Sequence, residues 1–363
     1  MQHFKSLVLL ALVFLCFPGC QQSQTLNIAF FRSNINYAGR IDFNDSRGAV
    51  LYWSGTSIKL NFEGESIEAV LEDETGDNYF NVIIDGGEPT ILKPDTTRAN
   101  YLLASELGPG PHSIELFKRT EWSAGKTFFS GFVIRGNARA LPKDSPRKRK
   151  IEFYGNSITA GYAVEDTSGQ DRPDSTFTNN YLSYAAITAR HFDADYRCIC
   201  KSGIGITISW FPMVMPEIYD RLDPEDSTSR WDFSKYTPDV VVVNLMQNDS
   251  WLVNMPERAE FKASFGDTAP LDADIIDAYQ SFIKSIRMAY PNAAIISALG
   301  NMDATREGSK WPGLVEKAVK GLNDQNIHTH FFPFKNTGGH PSTQEQEAMS
   351  ASLIQFINDR IDW

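Results

Sequence analysis

The chain has 363 residues, 42% of them hydrophobic, with a net charge of −11 and a pI near 5.1. That length is more than one typical domain, and the apolar content is enough for two cores. The acidic balance argues against nucleic acid and anionic lipid headgroups as partners.

Lys5 precedes an apolar run from Leu7 to Phe17. A bilayer-spanning helix needs about 20 residues, so the run fits a signal peptide over 1–20 instead. Cys20 stands where this run meets the polar Gln21-Gln22-Ser23, so lipidation at Cys20 is expected over simple secretion. Both outcomes place the chain at a bacterial cell envelope, with a membrane contact only through that anchor. Residues 26–140 then read as short strands. Ile58, Leu60 and Phe62 alternate with Lys59 and Asn61. Phe80, Val82 and Ile84 alternate up to the Asp85-Gly86-Gly87 turn, Ile114 and Leu116 flank Glu115, and Phe128, Phe132 and Ile134 share a period of two. Such strands, separated by turn residues, suggest a β-sandwich or jelly roll. Residues 141–150 hold two prolines and the basic run Arg147-Lys148-Arg149-Lys150, the pattern of a solvated linker.

From residue 151 onward strands and helices alternate. Strands are predicted at 151–154, 196–200 and 240–243, and near Ile295 and Phe331; helices at 180–192, 272–289, 312–323 and 342–360. Alternation of this kind gives a parallel sheet with helices on both faces. In the last helix Met349, Leu353, Phe356 and Ile361 form a core-facing stripe. Pro341 suits the first helical position, which leaves His340 just outside.

Four motifs fall at strand ends or helix starts: Gly155-Asn156-Ser157-Ile158-Thr159, Lys201-Ser202-Gly203-Ile204-Gly205, Asn244 to Asp249, and Gly338-Gly339-His340-Pro341-Ser342. Ser157 alone reads equally well as a helix cap or as a nucleophile beside free N–H groups. Serine, glycine, asparagine and histidine in this order resemble the SGNH (GDSL-like) hydrolase superfamily. The resemblance implies a three-layer, flavodoxin-like α/β domain over 151–363. It implies Ser157 as nucleophile and His340 as its general base. It also implies an oxyanion hole made by the backbone N–H groups of Ser157 and Gly203 and the side chain of Asn248. The chain departs from the superfamily at Asn156, where Asp is usual, and at Met246-Gln247. It departs again at Thr337, where an acid usually stands three residues before the histidine. A Ser157–His340 dyad is therefore expected, with Asp249 the nearest motif-linked carboxylate that could orient the imidazole.

Two stretches in the first half, Tyr52-Trp53-Ser54-Gly55-Thr56 and Leu116-Phe117-Lys118-Arg119-Thr120-Glu121, resemble segments of carbohydrate esterase family 2. On residue type alone, Lys118 to Glu121 reads as a solvated strand end. The resemblance implies an all-β jelly-roll domain before the SGNH domain. It also implies removal of acetyl groups from plant cell-wall polysaccharide, chiefly xylan and glucomannan, through an acetyl-enzyme. Two other functions stay open: a carbohydrate-binding surface lipoprotein with a degenerate esterase site, and an esterase for another acyl ester. The expected partner is an acetylated polysaccharide or oligosaccharide, bound by a monomer.

Trp210, Trp251 and Asp249 lie close in sequence to the catalytic motifs and are candidates for sugar contact. Cys198 and Cys200 share one face of a strand and read as small buried residues. His328 and His330 have no third ligand in sight, so no metal site is expected, and nothing calls for an organic cofactor.

Overall fold

The computed structural model describes residues 24–363; the expected signal peptide and Cys20 lie outside the described residues. The alternation in the first half becomes two antiparallel sheets of six strands each. In one, Ser57–Glu63 and Phe80–Ile84 flank His112–Lys118, which sets Ile114 opposite both Leu60 and Ile84. In the other, Ser66–Asp73 and Gln24–Ala29 flank Thr127–Gly136. Ile58, Leu60 and Phe62 from the first sheet meet Ile67, Ala69 and Leu71 from the second in one buried core. At Asp85 and Gly86 the chain turns with φ of +53° and +68°, and the Gly87 N–H closes the turn on the Ile84 carbonyl at 2.9 Å.

The period of two fails at Phe128. The strand bulges between Phe129 and Gly131, so Phe129, Phe132 and Ile134 face the sandwich core. Phe128 turns instead to the second domain's core. A bulge adds one residue on one strand and so reverses the side that follows it.

The second domain is a parallel sheet of five strands: β1 (Arg149–Gly155), β2 (Ala194–Cys200), β3 (Val240–Asn244), β4 (Ala294–Leu299) and β5 (Ile327–Phe331). Their order is β2-β1-β3-β4-β5. This is the doubly wound order in which ligands bind beyond the carboxyl ends of β1 and β3, where the winding reverses. The run Val240 to Val243 is wholly buried, as a strand covered on both faces must be. Tyr184–His191 and Thr343–Arg360 cover one face; Asp272–Ala289 and Trp311–Leu322 cover the other.

Two boundaries differ from expectation. The segment predicted as a helix over 180–192 starts with a 3₁₀ turn, Asn180–Leu182, and Ser183 then caps Tyr184–His191 through its hydroxyl. The last helix starts at Thr343 with Ser342 as cap, so Pro341 precedes the cap rather than opening the helix. Its buried stripe is Met349, Leu353 and Ile357, and Ile361 lies past its end. The basic run is also less of a linker than it reads. Arg149 and Lys150 already belong to β1, and the Arg149 guanidinium stacks over Phe192 and Trp363.

The two domains are joined by a buried ion pair. Arg40, from the sandwich, donates to Glu152 Oε1 at 3.1 Å and to the Tyr154 hydroxyl at 3.0 Å, both on β1. It also donates to the carbonyls of Tyr219 and Arg221. Arg40 and Glu152 are 1% and 0% exposed. Removing one partner of such a pair strands the other charge in a dry interior. Arg40→Ala is therefore expected to destabilise the fold by about 3–5 kcal/mol, read from denaturant unfolding. A loss under about 1 kcal/mol, the scale of a surface pair, would contradict this.

Candidate active site

Register brings the site together. Gly155, the last residue of β1, pairs with Cys200 of β2 and with Asn244 of β3. The three segments that follow therefore leave the same sheet edge side by side. Asn156 caps the single-turn helix Ser157–Ala160, its Oδ1 accepting the Ile158 N–H at 3.0 Å. Where the superfamily usually has Asp, the amide oxygen does the capping here. Gly161, at φ +72°, ends the helix after one turn, so this helix offers the Ser157 N–H but no sustained dipole.

Ser157 and His340 meet: Nε2 lies 2.8 Å from Oγ. The expectation of a dyad is corrected on the other side of the ring. His340 Nδ1 lies 2.8 Å from Asp171 Oδ2, and the His340 backbone N–H donates to Asp171 Oδ1, also at 2.8 Å. One carboxylate thus holds ring and backbone together. A proton on Nδ1 facing Asp171 leaves the Nε2 lone pair toward the serine hydroxyl. Burial acts to raise the Asp171 carboxyl, but the hydrogen bonds and charge of His340 outweigh it, and it sits below the usual carboxylate range. Tyr162 packs edge-to-face on the imidazole, centroids 4.9 Å apart. Gly339 is needed beside it, because a Cβ there would come within 2.8 Å of Asp171 Oδ1. The Asp171 loop is tied locally by Asp166, which accepts from the Ser168 and Arg172 backbones and from the Arg172 side chain. Thr337, three residues before the histidine, is engaged elsewhere: it bonds Lys335 and Glu345 at the start of the last helix.

Asp249 neither orients the histidine nor reaches a sugar. It is fully buried and accepts from the backbone N–H groups of Ile206, Thr207 and Ile208 and from the Thr207 hydroxyl. Burial pushes its carboxyl up, against the pull of those donors. Its work is to pin the loop that carries Gly203. Asn248 is also fixed: Nδ2 donates to the Ile204 carbonyl at 2.8 Å, and Oδ1 accepts the Trp210 indole N–H at 3.0 Å. The indole donor settles which amide atom is oxygen, so one N–H of Nδ2 remains for another acceptor. Trp210, partly exposed, is tied to Asn248 through its indole N–H, and Arg258 stacks over its ring at 4.5 Å. Trp251 is partly exposed and donates its indole N–H to Asp303.

The stretch Lys118 to Glu121 is no solvated strand end. Lys118, Arg119, Thr120 and Glu121 are 0%, 1%, 0% and 5% exposed. Arg119 donates to the carbonyls of Thr176 and Thr178 and pairs with Glu165, all in the segment between Ser157 and Tyr184. Burial pulls the Lys118 amine down to about 7, against the nearby charges of Asp73 and Glu121. Cys198 and Cys200 are buried free thiols whose sulfurs lie 3.2 Å apart. Burial drives His330 down to about 4; its Nε2 lies 3.2 Å from the Ser352 hydroxyl.

Residues 37–143 match the family model described as carbohydrate esterase 2 N-terminal. The chain is 34% identical over 340 residues to the cellulase/esterase CelE of Acetivibrio thermocellus, covering 91% of this chain and 40% of that protein. It therefore spans less than half the length of that relative. It is 26% identical over 354 residues to an acetylxylan esterase / glucomannan deacetylase of Cellvibrio japonicus, covering 94% of this chain and 93% of the other. Among solved structures, a family two carbohydrate esterase from Clostridium thermocellum in complex with cellohexaose superposes with a TM-score of 0.79 at 33% identity, covering 90% of this chain and 99% of that one. Identity at that level across both domains, together with the matched amino-terminal domain, establishes that the chain belongs to carbohydrate esterase family 2.

Proposed function

We propose that this protein is a serine esterase that removes O-acetyl groups from plant cell-wall polysaccharide such as xylan or glucomannan. The observation that carries the reading is the unbroken hydrogen-bonded chain from Ser157 through His340 to Asp171 at the carboxyl edge of β1 and β3. The names of the Cellvibrio relatives support the substrate class. Ser157 Oγ attacks the acetyl carbonyl as His340 Nε2 takes its proton. Negative charge moves to the carbonyl oxygen, which accepts from the backbone N–H groups of Ser157 and Gly203 and from Asn248 Nδ2. Each such donor is worth about 100- to 1000-fold in rate when it is fixed before the charge appears. His340 then returns the proton to the leaving sugar oxygen, and water, activated by the same imidazole, hydrolyses the acetyl-enzyme. Asp171 stays charged and holds the imidazolium. Trp251 is the ring we assign to the sugar. The apolar run before Cys20 supports work at the cell envelope.

A binding protein on a degenerate esterase site is the weaker reading, because the serine, the base and an orienting acid are all in contact. The test is acetate release from acetylated xylan and glucomannan by the purified protein, beside a series of aryl esters of rising acyl length. Release from a polymer, with acetate the preferred aryl ester, is expected. Activity that climbs with chain length would overturn acetyl specificity. No hydrolysis of any ester would overturn the enzyme.

A further inference from the structure

We propose that Glu121, just past the sandwich strand His112–Lys118, is a positioning residue for the oxyanion loop: it fixes the backbone N–H of Gly203 by gripping Ser202. The inference rests on the esterase reading above. Glu121 Oε2 accepts the Ser202 N–H at 2.5 Å, and Oε1 accepts the Ser202 hydroxyl. Ser202 directly precedes Gly203. The next residue in the sandwich, Trp122, lies under the Lys201 ammonium at 4.9 Å, so residues 121 and 122 hold 201 and 202 together.

Glu121 is itself anchored from behind. Lys118 Nζ donates to the carbonyls of Tyr52, Thr120 and Glu121 at 3.0, 3.2 and 3.2 Å. In the charged form the ammonium has three donors, one for each of these acceptors. On its far side, the loop is pinned at Ile206 to Ile208 by Asp249. Gly203 lies between the two anchors at φ +83°, a conformation that suits glycine; its carbonyl accepts the Trp210 N–H at 3.0 Å, and Asn248 Nδ2 holds the Ile204 carbonyl beside it. An oxyanion donor works only if it is aimed before the charge forms. Glu121 is therefore a route by which the sandwich acts on chemistry in the other domain.

The test is kcat and KM on an aryl acetate for the wild type, Glu121→Gln and Ser202→Ala, with amide hydrogen exchange over 201–205. Glu121→Gln offers one acceptor and loses the charge. A donor displaced by a fraction of an ångström to 1 Å should lower kcat by about 10- to 100-fold. KM should stay within about 2-fold, because a donor engaged in the transition state alone leaves ground-state binding unchanged. Exchange at Ser202 and Gly203 should quicken. Ser202→Ala keeps the N–H contact and loses the hydroxyl contact, so a smaller loss, about 3- to 10-fold in kcat, is expected. It also serves if Glu121→Gln does not fold. An active wild type with kcat unchanged in both variants would overturn the role of Glu121 and leave the esterase reading standing. A rise in KM with kcat held would make Glu121 a substrate contact instead and would equally overturn the proposal. A wild type with no esterase activity would overturn both.

Discussion

Ser157→Ala should lower kcat for acetate release by about 10⁵- to 10⁶-fold, the scale seen when the nucleophile of a serine hydrolase is removed. The side chain is nearly buried, and its Oγ has one observed partner, His340 Nε2. Alanine therefore removes the attacking atom and one hydrogen bond, and little else. Stability should fall by no more than about 1 kcal/mol, the net worth of a typical hydrogen bond. The drop in rate and the retained fold are to be measured on the same preparation. His340→Ala should cost nearly as much, and the double variant little more, because residues that act as a unit do not add. A Ser157→Ala protein that still released acetate within 100-fold of wild type would place the nucleophile elsewhere.

The second large effect is at Asp171. Asp171→Asn should lower kcat by about 10³- to 10⁴-fold with KM little changed. Asparagine keeps the shape, yet it offers the ring an amide whose N–H can only face an imidazole lone pair. That favours the wrong tautomer, with the proton on Nε2 and no base for the serine. The carboxylate also faces an imidazolium during the reaction, and the neutral amide does not stabilise that charge. Because His340 holds the Asp171 carboxyl below the usual range, its charge persists as pH falls through ordinary carboxylate values. The sign follows: a depressed carboxyl stays ionised above its lowered pKa, so Asp171 does not limit activity in wild type until more acidic pH. A pH–rate profile of the wild type with loss traced to a carboxyl of ordinary or raised pKa would contradict this assignment. So would an Asp171→Asn enzyme within about 10-fold of wild type, the outcome a bare dyad would give.

The acid is also where sequence and structure part. Ser157, Gly203, Asn248 and His340 are legible because each stands beside a strand end or a helix start, and the parallel register then aligns Gly155, Cys200 and Asn244. Asp171 has no such mark. It is one of three aspartates in the polar stretch 166–174, and the contact it makes is with a residue 169 positions away. The only hint is negative: Thr337 in the usual acid's place, with no carboxylate between His330 and His340. Asp249 is the opposite case. Its position next to Asn248 marks it for chemistry, yet the loop at Ile206 to Ile208 folds onto it and takes up its oxygens. The charged run at Lys118 to Glu121 misleads for a related reason. Nothing local tells that a second domain will close over a strand end and turn surface-type residues into buried connectors. The period of two in the sandwich is read correctly through Leu60 and Leu116 and fails at Phe128, where a one-residue bulge changes the face.

These features give the sandwich a physical part in the site. Arg40 locks it to β1 through Glu152, Arg119 reaches Glu165 and the carbonyls at 176 and 178, and Glu121 holds the loop before Gly203. The serine, histidine and aspartate of the proposed site lie on the second domain, and three buried side chains of the first contact the loops around them.

The measurement that tests the account most directly is an acid-quenched reaction with an activated aryl acetate, followed by mass analysis of the peptides. Acylation by an activated ester outruns deacylation, so an acyl-enzyme should accumulate with a burst of phenol. One acetyl group on the peptide that carries Ser157, formed by wild type and absent in Ser157→Ala, is the expected result. Steady hydrolysis with no burst and no acetyl on that peptide would contradict the serine mechanism and the site built around Ser157, His340 and Asp171.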